Sequence, residues 1–122
     1  MADKLNSRQQ AQITVLESLP AKFAQMHRLI EEMAGARVDI SVVRRLCRVL
    51  DEGKGATSGV GLSSLTQTMG TMGMMARRTG GDQMRIRGLR EGLASLKISY
   101  DVALRTANTP AASDAEGSTA AT

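Results

Sequence analysis

Apolar residues recur at a helical period in several stretches of the chain, and the breaks between them fall at glycine and proline. From Ser7, read as an N-cap, apolar side chains stand at Ile13, Leu16, Phe23, Met26, Ile30 and Met33. Pro20 interrupts this run, and proline is tolerated in the first turn of a helix but not in its interior. The pattern therefore predicts a short lead-in helix to about Ser18, then a main helix from Pro20 to about Ala34. Gly35-Ala36-Arg37 makes a short connection, and Asp39 is placed to cap a second helix. That helix sets Ile40, Val43, Leu46, Cys47 and Leu50 on one side, with Arg44, Arg48, Asp51 and Lys54 on the other.

The end of the second helix is set by two opposed signals. Gly53, Gly55 and Gly59 each cost about 1 kcal/mol against alanine in a helix interior, so local propensity predicts a stop near Glu52. Packing can override that preference. Gly61 reads as a turn, after which Leu62, Leu65, Met69, Met72 and Ala76 mark a third helix. Thr79-Gly80-Gly81 breaks it, and Asp82 is placed as the N-cap of a fourth. Leu89, Leu93, Leu96, Tyr100 and Ala103 or Leu104 define the last helix, which should end near Ala107 or Asn108. The expected fold is all-α: an antiparallel up-and-down four-helix bundle over residues 7–108, with the lead-in helix at its N-terminal end. Residues 1–6 are expected to be flexible, and residues 109–122, small, polar and without period, to form a disordered tail.

Composition supports helix-on-helix packing. The 122 residues include eight Met and only 2% aromatics, too few for a β-sandwich core. A single cysteine, Cys47, excludes an internal disulfide and a cysteine-based metal cluster; its place beside Leu46 and Leu50 suits a buried thiol. The net charge of +4 permits an acidic partner. The basic residues are spread along the chain without a block of like charge, which argues against nucleic acid. No apolar run reaches the roughly 18 residues of a membrane span and the N-terminus lacks a signal-peptide core, so a cytoplasmic, membrane-free protein is expected.

Candidate chemistry is sparse. His27 is the lone histidine, with no cysteine or second histidine to complete a metal site. Asp51 and Glu52 are neighbours on a helix and point about 100° apart, so they do not share an acid–base site. The glycine-rich stretch lacks the order of a phosphate-binding loop and a preceding strand. Met69, Met72, Met74 and Met75 suit core filling, and Arg77 and Arg78 suit the C-terminal end of a helix. No catalytic residue, metal ligand or cofactor site is expected.

The stretch Leu50-Asp51-Glu52-Gly53-Lys54-Gly55-Ala56-Thr57-Ser58-Gly59-Val60-Gly61 carries the one specific signal. Lys54-Gly55, the turn glycine Gly61 six residues on and Leu65 four beyond it resemble the signature of histidine-phosphotransfer (HPt) domains. Leu16-Glu17-Ser18-Leu19-Pro20, followed by a helix with Leu29 and Ile30, is similar to that family's first helix. The resemblance covers roughly Leu16 to Ala107. It implies that the second helix continues through Gly53, Gly55 and Gly59 to about Val60, its small residues clearing a docking surface. It also places Asp51 where the family carries its phosphorylatable histidine. The resemblance thus implies a pseudo-HPt protein that binds a response-regulator receiver domain, or a related signalling protein, without relaying phosphate. The implied contact residues are Arg44, Arg48, Asp51, Lys54, Gly55 and Ser58, with Lys54 and Arg48 able to pair with Asp51. The alternatives are a homo-oligomeric helical scaffold and a basic nucleic-acid-binding protein.

Overall fold

The computed structural model describes residues 5–35, 39–78 and 81–110. They form four helices: α1 (Ser7–Gly35), α2 (Ile40–Gly59), α3 (Ser63–Arg77) and α4 (Asp82–Ala107). Each packs against two neighbours, α1 on α2 and α4, and α3 on α2 and α4. Contacts between neighbours descend one helix as they climb the other. Along α1 and α4, Phe23 meets Tyr100 edge-on with ring centroids 5.4 Å apart, and Glu31 meets Arg90 at 2.6 Å. Along α1 and α2, Lys22 reaches Glu52 and Glu32 reaches Arg45. Neighbouring helices are thus antiparallel, as short connections require. The expected bundle is the observed one.

The core is a column of aliphatic and methionine side chains, with Leu16, Leu19, Met26, Leu46, Leu50, Met69, Leu89 and Leu96 fully buried. Two membership expectations fail. Ile40 is 66% exposed and Met74 71% exposed, because each turns away from the core stripe of its helix. Among the described residues, no helix is long and apolar enough to cross a membrane.

The break expected at Pro20 is absent: α1 is one helix of 29 residues with Pro20 inside it, so there is no separate lead-in helix. Proline removes one backbone bond and crowds the preceding turn. Here Leu16, Leu19 and Phe23 bury on both sides of the exposed proline, and that packing holds the helix together. The N-cap of α1 is Asn6 rather than Ser7. Asn6 and Gln9 exchange side-chain-to-backbone bonds of 2.7 and 3.1 Å, a reciprocal capping box. Gln9 also donates to the Thr109 carbonyl. Asn6 and Thr109, expected in the terminal segments, are therefore tied to the bundle. The flexibility expected of residues 1–4 and the disorder expected of 111–122 lie outside the described residues.

At α2, Asp39 caps as expected, its carboxylate accepting from the Ser41 amide at 2.9 Å. Asp82 does not cap α4; it is the first residue of the helix, and Gly81 occupies the cap with a left-handed φ of 58°. Thr79 and Gly80, expected to break the chain here, lie outside the described residues. Arg85 closes this corner. Its guanidinium donates to the Ala76 and Arg78 carbonyls at the end of α3 and pairs with Asp82 at 2.7 Å.

Candidate functional site

The glycine-rich stretch remains helical to Gly59, beyond the stop that local propensity predicts at Glu52. Two interactions on its inner face explain the continuation. Gly53 is buried, and a Cβ there would stand 2.5 Å from Met69 Sδ, so its absence lets α2 and α3 approach closely. One turn on, Thr57 is completely buried, its hydroxyl 2.9 Å from the Gly53 carbonyl and 2.7 Å from the Thr66 hydroxyl of α3. At Gly61 the chain turns with φ 77°, a conformation open to glycine, and Gln12 of α1 donates to the adjacent Val60 carbonyl.

The outer face of the same segment carries the candidate residues. At about 100° per residue, Arg44, Arg48, Asp51, Gly55 and Ser58 fall within an arc of about 80° on α2. All five are exposed. Lys54 is set apart: it is half-buried at the α2–α3 seam, where its aliphatic stem lies about 3.8–4.0 Å from the Cβ position of Gly70. Around Gly55 and Gly59 a Cβ would meet nothing within 4 Å among the described residues. The small residues thus divide, with Gly53 serving the core and Gly55 and Gly59 leaving the surface bare.

Beside this ridge runs a groove of about 600 Å³ lined by Ile40, Val43, Arg44, Cys47, Arg48, Asp51, Glu52 and Arg77. It gathers Arg44, Arg48 and Asp51 and leaves Lys54, Gly55 and Ser58 outside. The expected pairing of Asp51 with Lys54 or Arg48 is not what the structure contains. Asp51 pairs instead with Arg77 of α3, Oδ2 to NH2 at 3.3 Å, and Glu52 is taken by Lys22 at 3.2 Å. An α-helical side chain lies over the turn N-terminal to its own Cα, and the antiparallel α3 brings Arg77 alongside that turn. Cys47 forms part of the groove wall, 8% exposed, and burial pushes its thiol above the usual range, which suits packing and not nucleophilic attack.

Sequence reasoning misses Arg77 because along the chain it is simply a cation at a helix end. The signal that could reveal it is topological. In an antiparallel bundle the last turn of α3 lies beside the first half of α2, and the start of α4 lies there too. That end collects Arg28, Arg44, Arg45, Arg48, Arg77, Arg78, Arg85, Arg87 and Arg90, residues dispersed in the chain but not in the fold. Arg45, Arg77, Arg85 and Arg90 are neutralised by Glu32, Asp51, Asp82 and Glu31. Arg28, Arg44, Arg48, Arg78 and Arg87 have no ion pair among the described residues.

His27 is exposed on α1 and lies away from the groove, beside Glu31, Arg90 and Lys97. Among the described residues no group of three or more His, Cys, Asp or Glu could hold a metal ion. No family model matches the chain, and neither a curated protein nor a solved structure matches it.

Proposed function

We propose that this chain is a non-catalytic pseudo-HPt protein of the cytoplasm, docking a response-regulator receiver domain, or a related signalling protein, as an adaptor or inhibitor in two-component signalling. The observation that carries the reading is the uninterrupted α2, which presents Arg44, Arg48, Asp51, Gly55 and Ser58 as one exposed ridge with Lys54 at its edge. A bare glycine in the middle of such a ridge admits a partner surface to van der Waals distance of the backbone. Asp51 supplies a fixed negative charge where the resemblance calls for a phosphoryl acceptor. A carboxylate accepts a phosphoryl group readily when a metal held by further acidic residues assists, and among the described residues no group of three or more His, Cys, Asp or Glu that could hold a metal ion surrounds Asp51. Binding without transfer is the consequence.

Gly55→Arg tests this reading. The substitution meets open space, so the fold survives while receiver binding is lost; affinity that survives it overturns the reading. Asp51→His should restore a phosphoryl acceptor, labelled by a phosphorylated receiver.

A second reading, a self-associating helical scaffold, is favoured by one observation. Ile98 and Val102 of α4 are 66% and 52% exposed, and they flank a separate groove of about 400 Å³ that also includes Leu62, Leu65 and Ala103. Light scattering decides it: a stable oligomer dispersed by Ile98→Glu supports this reading, and a monomer at high concentration removes it.

A further inference from the structure

The groove end of the bundle holds positive charge that its own carboxylates leave uncompensated. Arg44 and Arg48 stand one turn apart on α2, both line the groove, and neither has an ion pair among the described residues. Arg77 faces them from α3. Its bond to Asp51 is a single 3.3 Å contact between side chains that are both more than half exposed, 53% and 56%. Ion pairs of that kind are weak in water, so Arg77 is available to a stronger anion.

We infer that this groove receives a phosphoryl group carried by the partner protein, held between Arg44 and Arg48 and joined by Arg77. The inference rests on the docking reading above and specifies which state of the partner the site prefers. Charge argues for phosphoryl over carboxylate. With Glu52 of the groove wall neutralised by Lys22, three guanidiniums less Asp51 leave two positive charges, and a protein-borne phosphoryl group brings about −1.5 to −2 at pH 7 where a carboxylate brings about −1. Geometry agrees. Guanidinium forks bind oxyanions through paired hydrogen bonds, and two of them one helical turn apart reach different oxygens of one tetrahedral group. Ile40, exposed on the groove's rim one turn before Arg44, adds an apolar contact for the partner's surface. The chain therefore reads a phosphorylated partner and leaves the phosphoryl group in place.

The first test uses the full chain and small probes. Arginine Nε–H NMR signals are followed during titration with inorganic phosphate and, at matched ionic strength, with acetate. Saturable shifts at Arg44, Arg48 and Arg77 with phosphate alone, abolished in the double variant Arg44→Gln/Arg48→Gln, support the inference. Equal shifts in acetate, or shifts that persist in the double variant, overturn it. Both positions are exposed, so the variant keeps its fold, and circular dichroism confirms that. The second test uses receiver domains with and without beryllium fluoride on the phosphoacceptor aspartate. The wild-type chain should bind the beryllofluoride form about tenfold more tightly, and the double variant should bind both forms alike. Equal wild-type affinity for the two forms overturns the inference and leaves docking at the ridge intact. Receiver binding that survives Gly55→Arg overturns the docking reading, while phosphate shifts would still mark the anion site. A single-stranded RNA bound with steep salt dependence, and displacing phosphate from these arginines, overturns the phosphoryl-protein assignment in favour of nucleic acid.

Discussion

Gly53 and Gly55 lie two residues apart on one helix and serve opposite purposes. Gly53 faces inward, where a Cβ would collide with the buried Met69 Sδ at 2.5 Å; Gly55 faces outward, with nothing within 4 Å. Both weaken the helix to the same degree when considered alone. What separates them is the surface each leaves bare. At Gly53 the gap is filled by α3, and the close seam it permits also brings the Thr57 and Thr66 hydroxyls within 2.7 Å. At Gly55 none of the described residues fills the gap. The inner face is thus a packing surface and the outer face a contact surface, and substitutions can test how cleanly the division holds.

The largest effect belongs to Gly53→Leu. Met69 is fully buried and has no solvent to retreat into, so overpacking should cost about 3 kcal/mol and lower the Tm by roughly 15 °C. Gly55→Leu should leave the Tm unchanged or raise it, since leucine is the better helix former. Equal losses at the two sites in thermal unfolding would break the comparison. Thr57→Val comes next, at about 1 kcal/mol for a buried hydroxyl lost from the seam. Ser58→Ala, the neighbouring change on the outer ridge, should move denaturant midpoints hardly at all.

A smaller and pH-dependent effect tests how the ridge is anchored at its start. The Ser41 amide donates to the Asp39 carboxylate and holds its pKa below the usual 3.8. A carboxylate with a depressed folded-state pKa stabilises the fold above its unfolded value, and that contribution disappears as pH falls through the folded value. Asp39→Ala should therefore lower the Tm at neutral pH, and the gap from wild type should close below the usual carboxylate range. Glu31, lowered mainly by its hydrogen bond from Arg90, adds a contribution of the same sign at the α1–α4 seam.

The contrast also explains what could be read from the sequence. The four-helix bundle, three of the four stretches of core periodicity and the Asp39 cap depend on local chemistry, because each is decided by neighbours in the chain, whereas the separate lead-in helix expected before Pro20 does not exist. The continuity of α1 through Pro20 and of α2 through Gly53 is not. Both are cases where tertiary burial outweighs propensity, by Leu16, Leu19 and Phe23 in one and by Met69 in the other. The resemblance anticipates the second but not the first. The ridge residues are legible as a helical stripe, since spacing alone aligns Arg44, Arg48, Asp51, Gly55 and Ser58. Arg77 and the groove are not, because they need a second helix placed beside the first.

The smallest stability effect, Asp51→Asn, tests the comparison most directly. If the outer face is built for contact, the ion pair of Asp51 should contribute little to folding. Asp51 and Arg77 meet at 3.3 Å with both side chains more than half exposed, and pairs in that setting stabilise by about 0.5 kcal/mol or less. The Tm should therefore shift by only about 2 °C, and high salt should erase even that. The same substitution removes the groove's neutralising charge and releases Arg77, so phosphate should bind more tightly than to wild type. Stability and anion affinity then move independently, as they must if the ridge is not part of what holds the bundle together. A large loss of Tm would place Asp51 among the structural residues, and the division drawn between Gly53 and Gly55 would not extend to its neighbour.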